Sequence, residues 1–553
     1  MNKTPAGLDS DLRQMILQTV SRLKDSLLTK EKISEFDRKE IFPEEIIKKL
    51  LAEDIGLQLL FIPEQYGGLG GGARDCCEVT AKMAEICLGI ATAFFAIQLG
   101  ADPIIVAGSE KQKQKWLDKI ATKKNLVAYA VTEAGAGSNL AAIKTKAEPV
   151  FNSVGKIESY IINGTKQFIS TGKYADFITI LANTPEGPSF FIAEKKSAGF
   201  NAGKGEKKHG IKASNTSPLT FDNVKVPAEN LIGNIAGQGL KQANKVFGYT
   251  RLMVAAMAYG AGTKAMRIAV DYAKQRVQFG SLLSEKQGYT HKLIIPNIVK
   301  LAAAKAYIDS LAYLIDLQNN AENLHVEGSI IKYFASETAN KAADDAMQAL
   351  GGYGYISEFE AEKIKRDIKI TCIYEGTSEI QQNIISAFRW KKTWKTKGGF
   401  YKDIAKKMSA KKMLEKDCGS FYYALCANIL NRLIQEAHKN RLTKNQYIMF
   451  LIADIITYLE IGASLAEKTL NLYKTDNKKA EKSALISKIF ASETAMITAN
   501  NTIKIIKGSG FFDNSKADEI LKEISYNKLF DASENIIKNT DKLADIIFER
   551  NRK

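Results

Sequence analysis

Apolar and polar positions repeat with two different periods along this chain, and the change of period marks its organisation. Up to about residue 125, apolar residues recur every three or four positions, as in Leu12-Met15-Ile16-Val20-Leu23 and Ile46-Ile47-Leu50-Leu51, which predicts helices. Phe42-Pro43-Glu44-Glu45 reads as a helix start with proline in the first turn. Thr80 to Leu99 reads as one long apolar helix, and Gly108 to Gln114 as the cap and opening of the next. From about 126 short strand-like runs take over: Leu126–Thr132, Tyr160–Ser170, Phe177–Leu181, Ser189–Ala193 and Leu219–Val226. Within Tyr160–Ser170, the pair Asn163-Gly164 predicts a hairpin turn. Helical patterns return over roughly 239–277, 285–319 and 325–350, and again from 391 onwards.

These patterns predict an α+β multidomain chain. The expected parts are an N-terminal helical domain (1–125), a middle antiparallel β domain (126–235), a four-helix-bundle domain (236–390) and an additional helical domain (391–553). A chain of 553 residues is too long for one core. Clefts at domain junctions are where cofactor sites tend to lie. The last part reads as a degenerate duplicate of the third. Phe334-Ala335-Ser336-Glu337-Thr338 recurs 156 residues on as Phe490-Ala491-Ser492-Glu493-Thr494. The same offset takes Gly352 to Gly508, Gly354 to Gly510 and Tyr374-Glu375 to Phe530-Asp531. It also takes Gln348 to Lys504, Gly351 to Lys507 and Gly376 to Ala532, so the duplicate is expected to hold no second site.

Composition changes this picture little. The chain is 45% hydrophobic and 25% charged, as in soluble globular proteins. A net charge of +17 by itself suits nucleic acid, an anionic membrane surface or an anionic small molecule. The lysines are spread along helical patterns and no nucleic-acid recognition motif accompanies them, so a solvated surface is expected and no nucleic-acid partner. Lys391-Lys392, Lys411-Lys412 and Lys478-Lys479 would allow peripheral contact with a membrane. Six cysteines without CxxC spacing and four histidines suggest no metal site, and free thiols fit a reducing compartment. Met1-Asn2-Lys3-Thr4-Pro5 opens without an apolar h-region, so a cytoplasmic location is expected. The most apolar long window, Tyr447–Ala466, contains Asp454 and Glu460 and reads as a bundle helix.

Three stretches carry candidate chemistry. In Gln348-Ala349-Leu350-Gly351-Gly352-Tyr353-Gly354-Tyr355 three glycines would let a backbone approach a flat or phosphorylated ligand, or would merely end a helix. In Tyr374-Glu375-Gly376-Thr377-Ser378-Glu379 a carboxylate sits between a tyrosine and a glycine, a candidate base or an ordinary surface glutamate. Tyr129 to Asn139 runs from a strand into a glycine turn with the hydroxyls of Thr132 and Ser138, which suits a ring edge and a phosphate. In Arg276-Val277-Gln278-Phe279-Gly280 the arginine ends a helix, where the helix dipole favours it in any case, or it ligates a pyrophosphate.

In this order, Tyr129–Ser138, Phe168-Ile169-Ser170, Arg276–Gly280, Gln348–Gly352 and Tyr374–Glu379 resemble the motifs of the acyl-CoA dehydrogenase family of flavoproteins. The resemblance covers about residues 10 to 390, and the extra helical region is similar to that of the very-long-chain branch. It implies FAD, the conversion of an acyl-CoA to a trans-2-enoyl-CoA, and electron-transfer flavoprotein as acceptor. An acyl-CoA oxidase and a non-catalytic scaffold on the same fold stand as alternatives. By this resemblance Tyr129, Val131, Thr132, Gly137 and Ser138 hold the isoalloxazine edge, and Phe168, Ile169 and Ser170 lie beside the ring. Arg276, Gln278, Phe279 and Gln287 reach FAD from the partner subunit, which implies at least a homodimer. Gln348, Gly351 and Gly352 pass its adenine side, and Thr377, Ser378 and Glu379 complete the cradle.

Glu375 would be the base that takes the α-proton. Hydrogen bonds to the thioester carbonyl, from its own backbone N–H and a ribityl hydroxyl, would stabilise the developing enolate. The β-hydrogen leaves as hydride for the flavin. Ser138, Tyr249, Arg251 and Gly376 would contact the substrate, and Ala91 and Phe95 would line the floor of the acyl tunnel. Some branches place the base one residue before the CoA-contacting arginine; here that residue is Thr250, which cannot serve. Phe168 stands where many members have Trp, Asn139 where many have Asp, and Gly248 where Asp or Asn is common.

Overall fold

The computed structural model describes residues 6–318 and 324–550. They form two compact units, one of Met1–Ala261, Ala312–His325 and Arg366–Gly376, the other of Gly262–Leu311, Val326–Lys365 and Thr377–Lys553.

In the first unit, helices Ser10–Arg22, Lys30–Lys39, Glu44–Leu50, Ala73–Ile86, Leu88–Ala107 and Glu110–Ala121 precede a sheet. Local chemistry sets several of their starts. Asp9 and Thr29 accept amides of the first turns, and Ser109 and Gln112 form a reciprocal capping box. Pro43 stands at the N-cap of its helix, just outside the first turn. The apolar run read as one helix over Thr80–Leu99 is two helices that meet at Cys87, whose backbone is extended (φ −160°, ψ 115°). The second of them is buried on nearly every side, so its hydrophobic period marks no face and hides the break.

The sheet has seven strands: β1 Val127–Ala130, β2 Lys146–Phe151, β3 Ile157–Ser170, β4 Phe177–Thr184, β5 Gly187–Glu194, β6 Phe200–Ala202 and β7 Thr216–Pro227. Their order is β1-β4-β2-β3-β7-β6, with β5 also beside β4. Pairing is antiparallel except that β1 runs parallel to β4, Val127 opposite Phe177, and β2 meets β4 in parallel at Lys146 and Asn183. Asn163-Gly164 makes no turn. β3 continues through it and pairs with β7 on both sides, with a register shift between Ile162 and Gly164. A Cβ on Gly164 would lie 2.5 Å from Thr145 Oγ1, so this glycine serves a close approach of chain segments. One sheet face buries Ala128, Ala130, Ile162, Ile180, Phe191, Leu219 and Phe221. Thr179 Oγ1 joins the sheet to helix Leu88–Ala107 through the Gly100 carbonyl at 3.0 Å.

The second unit is helical. Its long members include His325–Leu350, Ser378–Lys395, Ser420–Lys439, Gln446–Leu472, Asn477–Ile506 and Ile536–Phe548. The repeated Phe-Ala-Ser-Glu-Thr motifs lie on His325–Leu350 and Asn477–Ile506 and meet there. The rings of Phe334 and Phe490 are edge to face at 5.7 Å, and Tyr458 stacks on Phe490 at 5.5 Å. The same unit holds a buried ion cluster. Arg389 donates from Nε and Nη2 to Glu460 at 2.8 and 2.7 Å, and from Nη2 to Glu327 at 2.7 Å. The Tyr401 hydroxyl donates to Glu460 at 3.1 Å. Leu88–Ala107 and Gln446–Leu472 are long and apolar enough to cross a bilayer, but 78% and 72% of their most apolar windows are buried within the protein, as expected of core helices.

Burial opposes the Arg389 charge, but Glu460 and Glu327 outweigh it. Replacing Glu460 takes two of the three carboxylate bonds from the buried Arg389 and leaves the buried Tyr401 hydroxyl without its acceptor. Glu460→Leu is therefore expected to lower the unfolding free energy by about 3–5 kcal/mol. Adding Arg389→Met should restore a large part of the loss in the same denaturant titration.

Candidate active site

Glu375 ends a segment that returns to the first unit and is pinned there twice. Arg366 donates Nη1 and Nη2 to Asp37 at 3.2 and 2.7 Å, a bidentate pair. The buried Asp367 accepts the Ile211 amide at 2.5 Å. Beyond these anchors the turn Lys369–Cys372 leads to two left-handed residues, Glu375 at φ +57° and Gly376 at φ +90°. Glycine adopts this conformation freely, but for a glutamate it costs on the order of 1–3 kcal/mol and persists only where the surroundings enforce it.

The carboxylate meets helix Gly239–Ala273. Thr250 Oγ1 donates to Glu375 Oε2 at 2.7 Å. The next residue, Arg251, is 5% exposed and donates from Nη1 to His325 Nδ1 at 3.0 Å. Burial lowers the Arg251 guanidinium to about 10, and the charge of Glu375 opposes the fall. Tyr374 directs its hydroxyl to Thr92 and, at 4.0 Å, to Met257 Sδ. Ala91 and Phe95 are buried on helix Leu88–Ala107. Tyr249 is half-buried, and its hydroxyl engages the buried Cys76 thiol. An acid–base group, a hydroxyl that orients it and a cation thus share one place, an arrangement suited to taking up or delivering a proton.

A second surface of the same unit lies at the end of β1. Gln167 donates its amide to the Thr132 carbonyl at 2.8 Å, and Val131 is buried. Lys166, fully buried, donates Nζ to the Val131 carbonyl at 3.1 Å and to Glu133 Oε1 at 2.8 Å. Burial works against the Glu133 charge, but Lys166, Thr145 and the Lys144 amide hold its carboxyl well below the usual range. Past this strut Gly137 and Ser138 are exposed, and a Cβ on Gly135 or Gly137 would meet nothing within 4 Å. Phe168 is left-handed at φ +61° and 60% exposed, a strained backbone that presents an aromatic ring to open space. Ile169 is buried in the sheet core, and Ser170 is half-buried opposite Thr216. An open glycine turn beside an offered ring suits a flat aromatic ligand with polar edges.

The other expected cofactor residues belong to the second unit. The short hairpin of Val277–Gln278 with Ser281–Leu282 exposes Gln278 and Phe279, the latter 97%. Helix Gly239–Ala273 stops before Arg276, which stands over the Tyr353 ring at 6.0 Å rather than inside a helix end. Tyr289 donates to the Ala349 carbonyl at 3.0 Å, so the hairpin region and Gln348–Gly352 are neighbours. Gln348 is exposed, and Gly351 (φ +59°) and Gly352 have open space where a Cβ would stand. Gln287 donates Nε2 to both carboxylate oxygens of Asp541 at 3.1 Å. Thr377 caps helix Ser378–Lys395, Ser378 donates to Glu337, and Glu379 is exposed.

The duplicate shows which of these features folding does not require. Lys507, the counterpart of Gly351, is right-handed at φ −96°. Phe530, Asp531 and Ala532 lie in the 3-10 turn Tyr526–Ser533, without the left-handed pair of Glu375 and Gly376.

Four residues of these sites escape a sequence reading. Lys166 and Glu133 look like alternating strand positions, Thr250 is excluded as a base yet binds the Glu375 carboxylate, and His325 is remote in sequence from Arg251. Only Glu133, next to the glycine turn, carried any local signal.

Comparison with known proteins agrees with this geometry. Family models match in order: acyl-CoA dehydrogenase N-terminal domain at residues 10–124, middle domain at 128–224 and C-terminal domain at 237–388 and again at 418–540. The double match is what a duplicated helical domain produces. The chain is 37% identical over 383 residues to the acyl-CoA dehydrogenase of Bacillus subtilis, covering 66% of this chain and 98% of that one. It is 35% identical over 393 residues to the caffeyl-CoA reductase-Etf complex subunit CarC of Acetobacterium woodii, covering 69% and 99%. Among solved structures, an acyl-CoA dehydrogenase from Bacillus anthracis complexed with FAD superposes with a TM-score of 0.84 at 26% identity, covering 98% of this chain and 95% of that one.

Two outcomes follow from the geometry. Thr250→Val removes one donor to the carboxylate and is expected to reduce kcat/KM about tenfold, the equivalent of ~1.4 kcal/mol; a fall beyond a thousandfold would make Thr250 part of the chemistry itself. Because the duplicate lacks the left-handed backbone, flavin extracted from the holoprotein should amount to one FAD per chain and not two.

Proposed function

This chain belongs to the acyl-CoA dehydrogenase family, FAD-dependent oxidoreductases acting on CH–CH bonds, and we propose that it dehydrogenates an acyl-CoA thioester to the trans-2-enoyl-CoA and passes the electrons to an electron-transfer flavoprotein. The observation that carries this is the left-handed Glu375 with its carboxylate on Thr250 and the Arg251 cation beside it.

The residues fit the cofactor. In the first unit the open glycines at 135 and 137 and the offered Phe168 ring leave room for a planar ring, and in the second the open glycines at 351 and 352 leave room for a close-lying dinucleotide backbone. FAD, when bound, supplies the acceptor for the β-hydrogen and its electron pair. Thr132, Ser138, Phe168 and Ser170 would hold its ring. Arg276, Gln278, Phe279, Gln348, Gly351 and Gly352 would hold the phosphate and adenine portion across a homodimer. Gln287 joins them only by exchanging its Asp541 partner.

Glu375 takes the proton from the α-carbon. Thr250 fixes the carboxylate orientation, so that less freedom is lost when the thioester arrives. Arg251, desolvated and adjacent, favours the charged carboxylate before the proton moves. The same groups act in reverse, with a protonated Glu375 delivering its proton to the α-carbon of an enoyl thioester. The reductase name of the Acetobacterium woodii relative favours this as the second reading. The redox partner sets the direction.

Glu375→Gln should retain FAD and lose anaerobic bleaching by acyl-CoA by about a thousandfold or more, since it removes the proton acceptor and keeps the shape. Bleaching that survives in this variant would place the base elsewhere. Peroxide formed in air without a flavoprotein acceptor would favour the oxidase alternative.

A further inference from the structure

One face of helix Leu88–Ala107 changes character along its length. Ala91, Phe95, Gln98 and Asp102 recur at helical spacing and so share that face. All four are buried, at 0%, 5%, 4% and 6% exposure. The first two are apolar and are the positions expected at the acyl tunnel. The last two are polar, and neither Gln98 Oε1 nor Asp102 Oδ2 has a hydrogen-bond partner among the described residues.

A third such atom stands on β1. Ala128 and Ala130 point into the sheet core, so Tyr129 between them points away from it. Its ring packs on Phe190 at 5.7 Å and edge-on to Phe247 at 6.3 Å, and its buried hydroxyl has no partner among the described residues. Burial and the nearby charge of Glu375 push both Asp102 and Tyr129 up, and Asp102 acts on Tyr129 as well. Asp102 and Tyr129 thus lie within range of the Glu375 charge, Gln98 shares the helix face of Asp102, and Thr179, opposite Tyr129 in the sheet, bonds the Gly100 carbonyl between Gln98 and Asp102. A buried polar atom without a partner costs about 1–3 kcal/mol; the described residues hold others, such as Thr457 Oγ1 and Thr502 Oγ1, but these three lie on the acyl-tunnel helix and the strand packed on it. Nothing in the proton transfer uses these three.

We propose that Gln98, Asp102 and Tyr129 recognise a hydroxyl carried by the acyl group, so that hydroxylated acyl-CoA thioesters are the preferred substrates over plain alkyl or aryl ones. The proposal rests on the acyl-CoA reading of the same site. A hydroxyl is both donor and acceptor: it donates to Gln98 Oε1 or Asp102 Oδ2 and accepts from the Tyr129 phenol. An acyl carboxylate would face the carboxyls of Asp102 and Glu375. An acyl ammonium would enter beside the buried Arg251 guanidinium. A neutral group meets neither conflict.

The test uses the FAD-loaded full chain and matched pairs of thioesters: pentanoyl-CoA with 5-hydroxypentanoyl-CoA, and 3-phenylpropanoyl-CoA with 3-(4-hydroxyphenyl)propanoyl-CoA. Anaerobic bleaching and kcat/KM are followed for each. In at least one pair the hydroxylated member should be favoured by about a hundredfold or more, as for sites built to bond a substrate hydroxyl. Gln98→Leu and Asp102→Leu should each cut that ratio at least tenfold; if the second fails to fold, the first carries the test. Equal rates within both pairs, or a preference untouched by Gln98→Leu, overturn the proposal and leave the acyl-CoA reading standing. No bleaching by any of the four thioesters removes that reading, and the proposal with it.

Discussion

The left-handed backbone at Glu375 is the constraint on which the site depends. A glutamate in that conformation is strained by on the order of 1–3 kcal/mol and would relax if its segment were loose. It is not loose. The Arg366–Asp37 pair and the Asp367–Ile211 bond hold one end, and the bond from Thr250 holds the carboxylate. The strain is met by interactions far from Glu375 in sequence, so the loop cannot function as an isolated peptide.

The duplicate supplies an internal control for this view. It keeps the helices and the repeated motif, and its Phe490 packs edge to face on Phe334 of the original. It does not keep the left-handed pair, for Asp531 and Ala532 lie in an ordinary tight turn. Helical packing therefore does not demand the conformation of Glu375 and Gly376. Ligand and chemistry are the better account of it. The same comparison covers Gly351, whose counterpart Lys507 simply continues in right-handed backbone.

Polar groups without partners divide in the same way. In the Arg389–Glu460–Glu327 cluster, Glu460 is bonded through both carboxylate oxygens and Glu327 through one, and the cluster acts as a joint between helices. Lys166 and Glu133 are bonded to each other and brace the open glycine turn that follows β1. Gln98, Asp102 and Tyr129 are buried just as deeply and carry polar atoms without partners among the described residues. Among the described residues, unpartnered atoms also occur away from the site, as at Thr457 and Glu327, so it is the place of Gln98, Asp102 and Tyr129, on the acyl-tunnel helix and the strand beside it, that marks them.

Much of the fold was legible in the sequence because period and capping are local. Most helices up to residue 125, the strand runs and the repeat could be read from spacing and composition, whereas Glu375 was singled out as the base by the resemblance of its motif to a known family. The failures were local signals overruled by distant neighbours. Asn163-Gly164 has turn chemistry, but β7 pairs along the whole of β3 and Thr145 fills the space beside the glycine. The break at Cys87 is hidden because a helix buried all round has no period to interrupt. The sequence by itself determined most element types and the domain order, and its motifs, through their resemblance to a known family, marked Glu375 as the candidate base. Tertiary structure decided the strained conformation of that base, its Thr250 partner, the Arg251–His325 contact and the convergence of Gln98, Asp102 and Tyr129. These depend on residues far apart along the chain, and only packing brings them within hydrogen-bond reach or within range of one another's charge.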